Sequence, residues 1–205
     1  MARIDDYKAA CKIAREKLAL ISYDEIVRRS GFKEIGDGLF QVPFLDRIYI
    51  IACPDFSFRN ETESEKDIPL QEQVLILHYI QGAGGKNSTG NWIAYREVPG
   101  ASFYFAAFVK RAIDPLKQVF GQNVDGFIRA AHQLGGTAVE AGDAAFEFTV
   151  FPHVPTQLIL HAGDEEFPPE ANILFDDSIG TLLSPEDVAW MAGMVVYRLM
   201  ALVQT

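Results

Sequence analysis

Two stretches, Phe146-Glu-Phe-Thr-Val-Phe151 and Thr156-Gln-Leu-Ile-Leu-His161, decide the fold class of this chain. Each is short, rich in β-branched or aromatic residues and bounded by a segment that contains glycine or proline, which is the pattern of a β-strand. Ile173 to Phe175 continues the same pattern after a further glycine- and proline-containing segment. The C-terminal half is therefore predicted to be built around a sheet.

The N-terminal part predicts helices followed by a second group of strands. Apolar residues recur at three- and four-residue spacing from Ile4 to Ile21, which is one face of an amphipathic helix. Ser22 is placed to cap a second, shorter helix that ends at Gly31. From Phe32 to Ala52 the pattern becomes a meander of short strands separated by turns.

The middle of the chain predicts mainly helices and loops. Asp55 to Asp67 is polar and acidic, and we interpret it as a mobile surface loop. A helix from Leu70 to Ile80, a flexible connection from Gly82 to Gly90 and a strand at Trp92 to Tyr95 are expected next. Three helices are then predicted between Phe103 and Leu134.

The C-terminal helix has the clearest start signal. Ser184-Pro-Glu-Asp187 supplies a capping residue, a proline at the first helical position and two acids in the first turn. The helix from Pro185 to about Val203 is apolar nearly all round, so it must be enclosed by its own domain or by a second chain in a homodimer. The order of elements predicts an α+β fold, with residues 1–205 forming a single domain that has a mostly antiparallel sheet, N-terminal helices and this long apolar helix.

Composition excludes several classes of protein. The chain has 205 residues, of which 49% are hydrophobic, as in a globular domain. Cys11 and Cys53 are the only cysteines, so neither a zinc ribbon nor a four-cysteine cluster can form within one chain. The acidic N-terminus is unlike a signal peptide, and the apolar window from Val188 to Val203 is too short to span a membrane. We therefore expect a cytoplasmic protein.

The net negative charge comes from the last third of the chain. Residues 130–197 contain eleven acids and no Lys or Arg, and the segment before them is balanced, so this region contributes −11 and Arg198 brings the net charge to −10. Such a surface repels nucleic acid and anionic lipid, and it favours a cation, a basic partner or the chain's own basic residues. Its eleven acids are Glu140, Asp143, Glu147, Asp164, Glu165, Glu166, Glu170, Asp176, Asp177, Glu186 and Asp187.

The densest group of acids forms the candidate site. Gly163 to Glu170 is predicted to be an ordered acidic loop between two strands, with Phe167 buried as its anchor. Carboxylates that converge without a base can recruit a divalent cation such as Ca²⁺ or Mg²⁺, although a solvated acidic rim is the alternative. The candidate ligand-binding residues are Arg96, His161, Asp164, Glu165, Glu166 and Asp176, and the candidate metal ligands are Asp164, Glu166, Asp176 and His161.

Arg96 is included because the acidic region has no base of its own. We predict that its guanidinium contacts at least one of the eleven carboxylates.

Two other chemistries, phosphate binding and nucleophilic catalysis, have little support in the sequence. The glycine-rich stretch from Gly82 to Lys86 lacks the Ser or Thr that a phosphate-binding loop needs after its Lys, and a catalytic serine motif of the form Gly-x-Ser-x-Gly is absent.

Several short motifs together resemble a known family. They are Leu77-His78-Tyr79, Trp92-Ile-Ala-Tyr-Arg-Glu97 with Pro99-Gly100, Gly135-Gly136 with Gly142-Asp143, Gly163-Asp-Glu-Glu-Phe-Pro168, Ile173-Leu-Phe-Asp176 and Pro185-Glu-Asp187. From about Tyr23 to Leu202 the chain resembles the prokaryotic family catalogued as domain of unknown function 3786. Some members resemble corrinoid methyl-transfer proteins of anaerobes in carrying a cysteine-rich iron–sulfur segment, whose cysteines this chain lacks.

These observations lead to three functional hypotheses. The first is a cytoplasmic binding or accessory protein for a small ligand, a cofactor or a basic partner, and the resemblance implies anaerobic cofactor or metalloenzyme metabolism as its context. The second is a metal-dependent enzyme, a hydrolase, that uses the carboxylate cluster with a divalent cation. The third is a structural homodimer without a ligand. None of the three involves nucleic acid or a membrane.

Overall fold

A computed structural model describes residues 4–60, 68–84 and 88–203. The helices are α1 (Ile4–Leu18), α2 (Tyr23–Ser30), α3 (Leu70–Gly82), α4 (Phe105–Phe108), α5 (Asp114–Phe120), α6 (Val124–Gln133), α7 (Ile179–Leu182) and α8 (Pro185–Val203). The strands are β1 (Lys33–Gly36), β2 (Leu39–Phe44), β3 (Arg47–Ala52), β4 (Ser57–Asn60), β5 (Trp92–Ala94), β6 (Thr137–Ala138), β7 (Ala144–Phe151), β8 (Val154–His161) and β9 (Glu170–Asp176).

The strands form two antiparallel sheets, which confirms the α+β class. One sheet has the order β1-β2-β3-β4, and the other has the order β5-β9-β8-β7-β6. The two stretches that decided the fold class pair directly, with Phe146 opposite Leu158, and β8 pairs on its other side with β9. The first sheet is a meander joined by short turns, so its strands satisfy one another and need no partner from the second sheet.

The structure confirms the predicted helix-capping residues Ser22 and Ser184. The Ser22 hydroxyl accepts a hydrogen bond from the Glu25 amide at 3.3 Å, and Gly31 ends α2 with a φ of 71°. At α8, the Ser184 hydroxyl accepts from the Asp187 amide at 3.2 Å. These contacts are local in sequence, which is why the pattern predicted them.

One predicted loop is partly a strand in the structure. The acidic stretch from Asp55 was expected to be a mobile loop, but Ser57–Asn60 forms β4 against β3, with Phe58 opposite Ile51. Edge pairing gives the backbone of this polar segment hydrogen-bond partners, which composition alone does not reveal. The remainder of that prediction, residues 61–67, lies outside the described residues, as do residues 85–87 of the predicted flexible connection.

The helices between β5 and β6 are more continuous than predicted. A five-residue π-helical segment, Val109–Ile113, joins α4 to α5, so the backbone stays helical from Phe105 to Phe120. Pro115 is accommodated in the first turn of α5. The π-helical segment packs against α8, and insertions of this kind often mark functional positions.

One hydrophobic cluster of buried residues runs from α1 to α8. An aromatic stack links its parts: the Phe151 ring of β7 lies 5.1 Å from that of Phe44 in β2 and 4.4 Å from that of Tyr79 in α3, measured between centroids. α8 has nine buried residues, on more than one face, so much of the burial expected for it occurs within one chain. The single domain and the homodimer stay predictions.

A buried ionic network fixes the first sheet against the helices. Glu72 of α3 accepts hydrogen bonds from Arg47 of β3 at 3.2 Å and from Arg198 of α8 at 3.0 Å, and also from the Tyr49 hydroxyl. Arg198 also donates to the backbone carbonyl of Phe44 at 3.2 Å. Because a buried carboxylate needs partners, this network makes the packing of β2, β3, α3 and α8 interdependent.

In the described part of the chain, no helix combines the length and the apolarity needed to cross a membrane.

Candidate functional site

The acidic loop from Gly163 to Glu170 joins β8 to β9, as predicted, but its anchor differs. The Asp164 carboxylate closes the loop by accepting hydrogen bonds from the backbone amides of Phe167 at 2.7 Å and Glu166 at 2.8 Å. These hydrogen bonds hold the pKa of its carboxyl below the usual range. Phe167 is 66% exposed, so the prediction that it is buried is wrong. Pro169 provides the contact instead, because it packs so closely on Gly121 that a β-carbon there would lie 2.4 Å from it.

Asp176 is a buried structural carboxylate with 2% of its surface exposed. Its two oxygens accept hydrogen bonds from the Ser88 hydroxyl at 2.8 Å, the Thr89 and Gly90 amides at 2.9 and 2.8 Å, and the Ser178 amide at 3.0 Å, in addition to the Ser178 hydroxyl. Burial alone would raise the pKa of Asp176, but the bonds from Ser178, Ser88 and Gly90 lower it to about 2. This carboxylate therefore ties the segment before β5 to the end of β9.

Arg96 does not contact an acid of the C-terminal region in the described structure. Its guanidinium carbon lies 3.8 Å from the centre of the Phe105 ring, a cation–π contact, and Arg96 forms no ion pair with any described acid. The predicted contact is therefore wrong. The argument from charge balance failed because backbone amides and hydroxyl groups, which carry no net charge, are the partners of Asp164 and Asp176.

The candidate metal ligands are not assembled at one point. Asp164 and Glu166 lie before β9, whereas Asp176 is its last residue, roughly 20 Å away along a seven-residue strand. His161 is exposed and is paired in register with Glu170 at the first end. Within the described ranges, no group of three or more His, Cys, Asp or Glu side chains could hold a metal ion. Ligand binding by the six candidate residues stays a prediction.

A cavity of about 270 Å³ lies elsewhere, between α1, α3 and α8. The α1 helix packs along α3, and α8 supplies the third wall. Its described lining residues combine an apolar surface with acidic and hydrogen-bonding groups. They are Asp6, Tyr7, Ala10, Gln71, Val74, Leu75, His78, Glu186, Asp187 and Trp190.

A histidine–carboxylate pair lies at the cavity wall. His78 Nδ1 is 2.9 and 3.1 Å from the two carboxylate oxygens of Asp187, and the Ser184 hydroxyl donates to the same carboxylate at 2.6 Å. Asp187 is held at the first turn of α8 by its own capping contacts, so it is a fixed acceptor for the ring. With Nδ1 engaged, Nε2 of His78 has no hydrogen-bond partner among the described residues, and it is therefore available to a ligand.

The aromatic wall of the cavity is also fixed in orientation. The Tyr7 ring meets the Trp190 ring edge to face at 6.2 Å, and the guanidinium carbon of Arg111 lies 4.3 Å from the centre of the same indole. Arg111 belongs to the π-helical segment, and its backbone carbonyl would lie 3.3 Å from a β-carbon placed at Gly193 of α8. This close helix approach positions Arg111 over Trp190.

A second, more open cavity of about 360 Å³ shares His78 and Asp187 with the first. Gly82 makes this junction, because a β-carbon there would lie 1.9 Å from the carbonyl oxygen of Leu182, so only glycine permits the close approach of α3 to α7. The side-chain amide nitrogen of Gln81 is buried here without a hydrogen-bond partner. The described lining residues are His78, Gln81, Gly82, Gly180, Thr181, Leu182, Leu183, Ser184 and Asp187.

Sequence reasoning did not predict this site. His78 and Asp187 are 109 positions apart, and Asp187 was explained by its role at the start of α8. The sequence contained one signal for the site. In the apolar run from Val74 to Ile80, His78 and Tyr79 are the only ionisable side chains. A polar side chain in such a buried run is expected to have a specific partner.

Comparison with known proteins identifies the family. No curated protein and no solved structure matches the chain. A family model described as a domain of unknown function (DUF3786) matches residues 22–198, a region that includes both halves of the His78–Asp187 pair and leaves α1 outside. The chain therefore belongs to the DUF3786 family, a domain of unknown function.

Proposed function

We propose that the protein binds a small organic cation, an amine with an apolar body, in the cavity between α1, α3 and α8. The observation that carries this proposal is the charge of the described lining: three carboxylates, those of Asp6, Glu186 and Asp187, surround an apolar pocket that has no Lys or Arg among its lining residues. An ammonium group is favoured at such a surface, and a carboxylate or phosphate is disfavoured.

The other lining residues support an amphipathic ligand. Val74, Leu75 and Trp190 offer apolar contact, whereas Gln71 and His78 offer hydrogen bonds. Ligand sites in proteins usually have this composition, a mainly apolar pocket with a few placed polar groups. Arg111 lies against Trp190 and is not itself a lining residue, so its guanidinium is not a contact for a ligand in the pocket.

The test compares three probes of similar shape by NMR chemical-shift titration: 2-phenylethylamine, 2-phenylethanol and 3-phenylpropionate. We expect the amine to shift resonances of α1, α3 and α8 with a dissociation constant on the order of 1 mM, as befits a fragment. The alcohol should bind more weakly, and the carboxylate should not bind. Equal responses to the amine and the carboxylate, or amine-induced shifts confined to other regions, would overturn the proposal.

A matched pair of variants tests whether the cavity charge is responsible. Glu186→Gln removes an exposed carboxylate from the cavity rim, and Glu165→Gln removes an exposed carboxylate from the acidic loop. We expect the first to weaken amine binding about threefold and the second to leave it unchanged. If Glu165→Gln weakens amine binding and Glu186→Gln does not, the ligand site lies at the acidic loop and the proposal is wrong. The anaerobic context implied by the family resemblance stays a prediction.

A further inference from the structure

The three helices around the first cavity differ in how firmly the core holds them. The α8 helix has nine buried residues, and α3 has six. The α1 helix has three, none of them in its first two turns: Cys11, Ala14 and Leu18. Those first two turns supply the α1 wall of the cavity, which consists of Asp6, Tyr7 and Ala10. This wall is therefore the one with the least anchorage in the core, which is typical of a segment that detaches locally.

The polar contact between α1 and α3 is incompletely satisfied. Arg15 Nη2 donates a hydrogen bond to Gln73 Oε1 at 3.3 Å. Arg15 Nε is buried and has no hydrogen-bond partner among the described residues. A buried donor without an acceptor costs free energy, and that cost is recovered when water reaches the donor. The docked position of α1 is therefore less stable than its packing alone would make it.

The charges at the cavity also make the docking of α1 sensitive to a cation. The first turn of α1 brings the Asp6 carboxylate to the cavity, and the first turn of α8 brings that of Glu186. Two carboxylates that line one cavity repel each other, whereas an ammonium bound between them attracts both. A bound amine therefore adds an attraction between α1 and α8.

We propose that α1 is a movable wall of the amine site: the site is complete only when α1 is docked on α3 and α8, and a bound amine holds α1 in that position. The α1 helix ends before residue 22, where the match to the family begins, so the movable wall lies outside the family domain that supplies the other two. A ligand that binds only the docked form shifts the equilibrium towards that form. This inference rests on the proposed function, because it takes the amine as the ligand.

Hydrogen exchange followed by NMR measures the docking of α1 in the unmodified protein. Without ligand, we expect the amides of α1 to exchange at least about tenfold faster than those of the central strand β8, because detaching one helix is a smaller opening than unfolding the domain. Addition of 2-phenylethylamine at about ten times its dissociation constant should slow the exchange of α1 about tenfold, and 3-phenylpropionate should not slow it. If α1 exchanges as slowly as β8 without ligand, α1 does not detach separately and the inference is wrong.

Two glutamine substitutions in α1 test whether its docking controls binding. Ala14→Gln places a longer polar side chain at a buried position that does not line the cavity, and Ala9→Gln places the same side chain at an exposed position of the same helix. We expect the first to speed the exchange of α1 and to weaken 2-phenylethylamine binding at least about fivefold, and the second to change neither. Faster exchange in Ala14→Gln with unchanged binding would show that the amine does not need α1, and the inference would fail.

The outcome for the unmodified protein separates this inference from the proposed function. If 2-phenylethylamine shifts resonances of α3 and α8 but leaves the exchange of α1 unchanged, the inference fails and the proposed function stands. If 2-phenylethylamine does not bind, the proposed function fails, and the inference fails with it.

Discussion

The acidic loop region and the His78–Asp187 cavity both present carboxylates, but they use them differently. In the first region, the oxygens of Asp164 and Asp176 accept hydrogen bonds from nearby backbone amides and hydroxyl groups. These carboxylates therefore use their hydrogen-bond acceptors to stabilise the fold. In the second, Asp187 orients a histidine whose Nε2 is unpaired among the described residues, at a concave and partly apolar surface.

The density of acids along the sequence therefore does not show which carboxylates remain available for a ligand. A carboxylate in a loop can accept hydrogen bonds from amides close to it in sequence, as Asp164 does from two amides no more than three positions ahead. A carboxylate held by a helix start has its backbone geometry fixed and can direct a second side chain. A concave, partly apolar surface with a few placed polar groups is a better indication of a ligand site than the density of acids along the sequence.

We expect the greatest change in stability from a substitution of Asp176. Asp176→Asn should lower the free energy of unfolding by about 2 to 3 kcal/mol at neutral pH, because an amide cannot accept all of the hydrogen bonds that hold the pKa of Asp176 near 2. Binding of 2-phenylethylamine to the folded variant should not change. Urea unfolding and the NMR titration measure the two quantities, and a loss of binding without a loss of stability would make Asp176 a ligand residue.

The same variant has a defined pH dependence. The folded-state pKa of Asp176 is about 2, below the ordinary 3.8, so its contribution is fully present above about pH 5 and is lost as the pH falls from there towards 2. The stability difference between the unmodified protein and Asp176→Asn should therefore narrow below about pH 4. A difference that stays constant down to about pH 2 would mean that the carboxylate is not the source of the stability.

A smaller effect on stability, together with a larger one on binding, is expected at Asp187. Asp187→Asn keeps a side-chain oxygen for the Ser184 and His78 contacts but removes the negative charge at the start of α8, at a cost of about 1 kcal/mol. Amine binding should weaken several-fold, because a negative charge at the cavity is lost. Unchanged binding in this variant would exclude the pair from the ligand site.

The smallest effect is expected at Phe167, which the sequence predicted to be buried. Because the ring is exposed, Phe167→Ala should change the free energy of unfolding by less than about 0.5 kcal/mol. Phe151→Ala, which removes a fully buried ring from the aromatic stack, should cost about 3 to 5 kcal/mol in the same assay and serves as the control. A large effect at Phe167 would show that the loop packs its ring in solution.

Local signals in the sequence were sufficient for most of the fold. The caps at Ser22 and Ser184, the strands β7 and β8 and the start of α8 were predictable, because their partners lie within a few residues or in the next strand. The edge strand β4 and the π-helical segment were not, since pairing with β3 and packing against α8 stabilise them from a distance. The orphaned donor of Gln81 is a property of the packed structure and has no sequence pattern.

The α+β class, the element order, the family and the excess of negative charge in the C-terminal region can all be inferred from the sequence, because periodicity, capping and composition are local or additive properties. The packing of the whole chain determines which carboxylates accept hydrogen bonds within the fold and which pair faces a cavity. His78 and Asp187 meet because α3 and α8 pack side by side around a shared core, and that packing depends on contacts made across the whole chain.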